Sequence, residues 1–100
     1  MGGLKLIGMH SIVDPHGRTV HLTDERWAHI IRRHPYMDVF QAGVLQAIIA
    51  PTEIVDRPRP GQDWYYLQGA GPSRWLKVVV AFDENNTGSI RTAFPRRSKP

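Results

Sequence analysis

The chain has 100 residues, 41% of them hydrophobic and 22% charged, which suits one small globular domain (1–100) with a single modest core. It has no cysteine, which excludes a disulfide framework and a thiolate zinc site, and no apolar run of the length that a membrane crossing needs. Lys and Arg number 13 against 9 Asp and Glu, giving a net charge of +4 and a pI near 10.0, so an anionic partner is expected, nucleic acid being the commonest.

The opening Met1-Gly-Gly-Leu-Lys5 lacks the charged and apolar regions of a signal peptide, and a reducing compartment fits the absence of cysteine. Residues 1–11 read as a lead-in, and 4–13 hold either one short strand or an irregular segment. Asp14-Pro-His-Gly17 has turn chemistry, and Arg18-Thr-Val-His-Leu22 alternates with β-branched residues, so 12–22 is predicted to be a hairpin. His10, His16 and His21 match no metal spacing and read as surface or turn histidines.

The rest of the chain is organised around Thr23-Asp-Glu-Arg-Trp-Ala-His-Ile-Ile-Arg-Arg-His-Pro-Tyr36. Thr23 is a plausible N-cap, Asp24 and Glu25 suit the positive end of a helix dipole, and Pro35 stops the helix. Trp27, Ile30 and Ile31 form a core stripe, while Arg26, His29 and Arg33 form a second stripe offset from it. His34 precedes proline and is pushed out of the α region, so its side chain can turn toward the cleft that His29 and Arg33 would line. Two imidazoles and a guanidinium at one helix end suit phosphate chemistry. The same cations also stabilise a last helical turn by themselves, by up to about 1 kcal/mol.

Residues 38–49 repeat Phe40, Val44, Ala47 and Ile48 at helical spacing, with Asp38 as a cap, and predict a second helix that serves packing alone. Strands follow at 52–56, 64–68, 74–82 and 89–94, with 57–61 read as an extended loop and 95–100 as a solvated basic tail. The tight turns make this an antiparallel meander. The predicted fold is therefore α+β: an N-terminal hairpin or strand, then two helices packed on one face of a four-stranded antiparallel sheet. In the long strand Leu76, Val78, Val80 and Phe82 point one way, toward the helices, and Trp75, Lys77, Val79 and Ala81 the other. Period alone does not settle which side of the last strand, Ile90-Thr92-Phe94 or Ser89-Arg91-Ala93, faces the helices, because a bulge shifts parity.

Trp27-Ala-His-Ile-Ile-Arg-Arg-His-Pro35, then Pro51, the strand bearing Tyr65 and Tyr66, Leu76-Lys-Val-Val-Val80 and Ile90-Arg-Thr-Ala-Phe94 occur in that order. Over roughly residues 20–95 this resembles the phage-associated nuclease-like domains of the barnase–EndoU–colicin–RelE superfamily. The resemblance implies RNA cleavage without a metal or other cofactor, often by toxins of toxin–antitoxin, phage or effector systems acting in the cytoplasm. It also implies an antitoxin or immunity protein as a partner. Matched residue by residue, its motif positions fall on His29, Arg33, His34 and Thr92. Tyr36 stands where the family usually has an acidic or long side chain.

RNA carries its own nucleophile, the 2′-hydroxyl, so cleavage needs a base, an acid and cations for the phosphate. Histidines 29 and 34 suit the proton roles, and Arg33 matches phosphate oxygens two at a time. Thr92 could donate a hydrogen bond to the phosphate, although a β-branched residue also simply suits a strand. Lys77, Arg91, Arg26 and the Tyr65–Tyr66 pair are candidates to hold phosphates and stack bases. The five-residue step from His29 to His34 is not the i, i+4 spacing of two metal ligands on a helix. The expected function is a metal-independent endoribonuclease. The rival is a non-catalytic basic domain that grips nucleic acid or a protein with the same helix end.

Overall fold

The computed structural model describes residues 8–99; most of the expected lead-in, residues 1–7, and residue 100 lie outside the described residues. Elements run β1 (Met9–Val13), β2 (Thr19–Thr23), α1 (Asp24–Arg33), a 3-10 helix (Pro35–Val39), α2 (Gln41–Ile49), β3 (Glu53–Arg59), β4 (Gln62–Gln68), β5 (Trp75–Phe82) and β6 (Gly88–Arg96). Among these residues no helix is long and apolar enough to cross a membrane.

The fold is α+β, but the sheet corrects the expectation of four antiparallel strands. It has six strands in the order β1-β2-β6-β5-β4-β3, and it is mixed. The predicted hairpin does not stand apart: β2 runs parallel to β6, with Val20 opposite Gly88 and His21 opposite Ser89. The cause is burial. Val20 and Leu22 alternate along β2 and are fully buried, so that face needs cover, and β6 offers a free edge whose backbone groups need partners. Gly88 makes the approach possible, since a Cβ there would lie 2.7 Å from Val80 Cγ1 and 3.1 Å from Val20 Cγ2.

The inner face carries Val20, Leu22, Tyr65, Leu76, Val78, Val80, Ile90 and Ala93, packed against Ile30 of α1, Met37, and Val44, Ala47 and Ile48 of α2. Trp27 and Ile31 lean on this cluster but remain partly exposed, so Ile30 is the one fully buried residue of the α1 stripe. The α1 termini follow their caps: Thr23 Oγ1 accepts from the Arg26 N–H at 3.0 Å, and His34 leaves the helical region at φ −136°. The second helix begins later than expected, because Pro35 starts a 3-10 helix that absorbs Asp38, and α2 has no side-chain cap.

The expected extended loop at 57–61 and the expected solvated tail at 95–100 both join the sheet in part. β3 continues to Arg59 past Pro58, which an edge strand tolerates, with an irregular register after Val55 and a left-handed Arg57 at φ +46°. The basic tail returns over the sheet: Lys99 pairs with Glu53 of β3, and its ammonium lies 5.0 Å from the Trp75 ring centre.

A polar clasp ties the β1–β2 turn to the far end of the sheet. Asp14 is 4% exposed; its Oδ1 accepts from the His16 and Arg18 N–H groups, and its Oδ2 from Arg18 Nε and the Tyr65 hydroxyl. Arg18 Nη2 also donates to Asp63 Oδ2 at 2.7 Å. Burial alone would raise the Asp14 pKa, but the hydrogen bonds from Tyr65 and Arg18 and the arginine charge outweigh it and hold the carboxyl below its ordinary value.

Candidate active site

β2 pairs with β6 only at Val20 and His21, and the chain then turns into α1, which contacts β6 as well as β2. The helix therefore lies along the edge of β6 that β2 leaves unpaired. One side of α1 delivers Ile30 to the core; the other looks across the rim toward the open face of the sheet, the face away from α2.

On that rim His29, Arg33, His34, Thr92 and Phe94 line one cleft of about 320 Å³. The register explains why Thr92 is there. Val79 lies opposite Thr92 and Val80 opposite Ile90, so Arg91 is an extra residue in β6. This bulge puts Thr92 and Phe94 on the open face while Ile90 and Ala93 stay in the core. It also resolves the parity that the pattern left open: each expected side of the strand is split. Arg26 Nη1 donates to the Arg91 carbonyl at 3.4 Å, fastening α1 to the bulge.

His34 is oriented from two sides. Its Nδ1 lies 3.1 Å from the Tyr36 hydroxyl, and its ring centre is 5.7 Å from that of Phe94. With Nδ1 engaged, Nε2 is left free for chemistry. His29 has a different setting: partial desolvation, and then the charges of Arg26, Arg32, Arg33 and Arg91, hold its pKa below the ordinary 6.5. It is therefore mainly neutral at pH 7 and able to accept a proton.

Beyond Phe94 the open face continues to Lys77, which is only 5% exposed. Its ammonium sits 3.3 Å from the Trp64 ring centre, and among the described residues it has no hydrogen bond or ion pair. Desolvation, followed by the charges of Arg96 and Arg59, lowers its pKa. The neighbouring Tyr66 hydroxyl is buried and also without a partner among the described residues.

The structure does not bring every expected residue to the cleft. Tyr65 is on the inner face, its hydroxyl engaged by Asp14 and Arg18, and takes no part. Strand alternation alone separates it from Tyr66. Tyr66 is on the open face but fully buried, so its ring offers no stacking surface as it stands. Arg26 and Arg91 line an adjoining pocket that shares His29 with the cleft. Two further residues beside the cleft have no clear signal in the sequence. Tyr36, which orients His34, carried no signal beyond its nearness to the motif. His21, read as a surface histidine, lines the adjoining pocket because β2 pairs with β6. Among the described residues no three His, Asp or Glu side chains gather as a metal site would require.

Comparison with models of known protein families, with curated proteins and with solved structures finds no match to this chain.

Proposed function

We propose that the protein is a metal-independent endoribonuclease of the toxin type that its sequence resembles. The observation that carries this reading is the meeting of His29, Arg33, His34 and Thr92 around one open cleft, although they come from a helix, its cap and a distant strand. In the reaction, neutral His29 takes the proton of the 2′-hydroxyl, and O2′ attacks the adjacent phosphorus. The bond from phosphorus to the 5′-oxygen breaks, and that oxygen receives a proton from His34 Nε2. The products are a 2′,3′-cyclic phosphate and a free 5′-hydroxyl. Arg33 and Thr92 hold the non-bridging oxygens as charge grows on them. A cytoplasmic site of action and an antitoxin or immunity protein as partner belong to the same reading.

The test is incubation of the purified protein with end-labelled RNA in EDTA, beside His29→Ala and His34→Ala. Expected are cyclic phosphate ends from the wild type and losses of at least about a hundredfold in each variant, the usual contribution of a general acid or base. Cleavage that persists in the double variant refutes the mechanism. RNA binding without cleavage makes the protein a binding module.

A further inference from the structure

The cleft is not the largest depression on this face. Next to it, and sharing His29, is a pocket of about 490 Å³ lined by His21, Arg26, Arg32, Ser89 and Arg91. It opens where β2 leaves β6, so its floor is the Ser89–Arg91 stretch of β6 and its walls are β2 and the stripe of α1 that runs from Glu25 to Arg32. Three features make it a built depression. Ser11 Oγ fixes His21 through a 2.8 Å hydrogen bond to Nδ1, the bulge re-aims Arg91, and the Arg26 contact to the Arg91 carbonyl sets the width. Among the described residues Glu25 is its lone carboxylate, against the guanidiniums of Arg26, Arg32 and Arg91, with Arg33 beside them in the cleft.

From Ser89 to Phe94 the strand spans about 16 Å, at roughly 3.3 Å per residue. A single nucleotide in the cleft would leave most of that length, and three arginines, unused. The other end of the cleft offers the Phe94 ring, a surface on which an unpaired base can stack and a paired one cannot.

We infer that the pocket and the cleft form one groove for a single RNA strand of several nucleotides, the pocket holding the backbone phosphates adjacent to the one cut. This rests on the ribonuclease reading above but is tested apart from it. The lowered His29 pKa agrees with a positive field converging on the junction of the two depressions.

The experiment measures binding with 2′-O-methyl oligoribonucleotides, which lack the nucleophile, and cleavage with ordinary RNA of the same lengths. Dimers, tetramers and octamers are compared by fluorescence anisotropy, with an octamer duplex and a glutamate octapeptide as competitors. The tetramer should bind at least about tenfold more tightly than the dimer, and the duplex and peptide about tenfold more weakly than the single-stranded octamer. Arg32→Gln and Arg91→Gln, both at exposed positions, should each reduce the slope of log affinity against log salt by about 0.7, the value for one phosphate contact on a single strand. The groove is overturned if the dimer binds as tightly as the octamer, if the slopes do not change, or if the duplex or peptide competes equally. Length-dependent binding without cleavage supports the groove and sinks the ribonuclease. Cleavage of dimers as fast as octamers, with flat binding, does the reverse.

Discussion

Asp14→Ala should cost about 3 kcal/mol of stability at neutral pH, because the carboxylate is the common acceptor of a buried clasp. Removing it strands the Tyr65 hydroxyl, which donates to Oδ2 at 2.6 Å in a residue with no exposed surface; an orphaned buried donor costs about 1–3 kcal/mol. The turn N–H groups of His16 and Arg18 lose their acceptor too, at about 0.5 kcal/mol each where water can replace it. Arg18 is not abandoned, since Asp63 still accepts from it at 2.7 Å, so the loss of about 3–5 kcal/mol for a stranded buried charge applies only in part. Urea unfolding followed by tryptophan fluorescence reads the difference. Adding Tyr65→Phe to the variant removes the stranded hydroxyl and should return about 1 kcal/mol. The pH dependence gives a second check. Because the folded carboxyl titrates below its ordinary 3.8, its contribution is complete above that value and disappears as pH falls through the folded pKa. The gap between wild type and variant should therefore be constant from pH 7 to 5 and shrink below pH 3.8. A loss under 1 kcal/mol, or a gap unchanged down to pH 2, refutes the clasp.

In an NMR titration His29 should show a midpoint below 6.5, and the acid limb of cleavage should move down with it, because the base must be deprotonated to act; a midpoint at or above 6.5 contradicts its setting among arginines. Tyr36→Phe removes the hydroxyl at His34 Nδ1 and should slow cleavage about fivefold, the rate equivalent of one net hydrogen bond; an unchanged rate means that Tyr36 does not position the ring. Ile30→Ala should cost about 3 kcal/mol and Ile31→Ala about half of that, since only Ile30 is fully enclosed; equal losses in urea melts would show the α1 face packed otherwise.

What could be read from the sequence was what local chemistry decides. The Thr23 cap, the acidic first turn and Pro35 all act within a few residues of the helix ends, so the bounds of α1 are legible in the sequence. His34 was turned out of the helix by its neighbouring proline for the same reason. The sheet is less legible, because the pairing of Val20 with Gly88 joins residues far apart in sequence and leaves no local trace. His21 was lost with it. The bulge at Arg91 is equally silent in sequence, yet it decides which side chains of β6 share a face with Lys77. Tyr65 is a different case: alternation was enough to divide it from Tyr66. Tyr36 needed coordinates, since nothing in a His-Pro-Tyr run says that the hydroxyl reaches back to the imidazole.

The parallel contact of β2 with β6 also bears on when the protein becomes itself during synthesis. Chains emerge from the ribosome N-terminus first, and a contact that closes so long a loop cannot reward the chain until both ends are present. The β1–β2 hairpin and α1 leave the tunnel early, carrying their arginines and histidines, but the cleft and the pocket beside it both need β6. Until Thr92 and Phe94 have been added there is a basic helix and no cleft. A nascent chain thus carries its basic helix past the ribosomal RNA before the cleft exists, and the cleft is complete only as β6 docks against Val20.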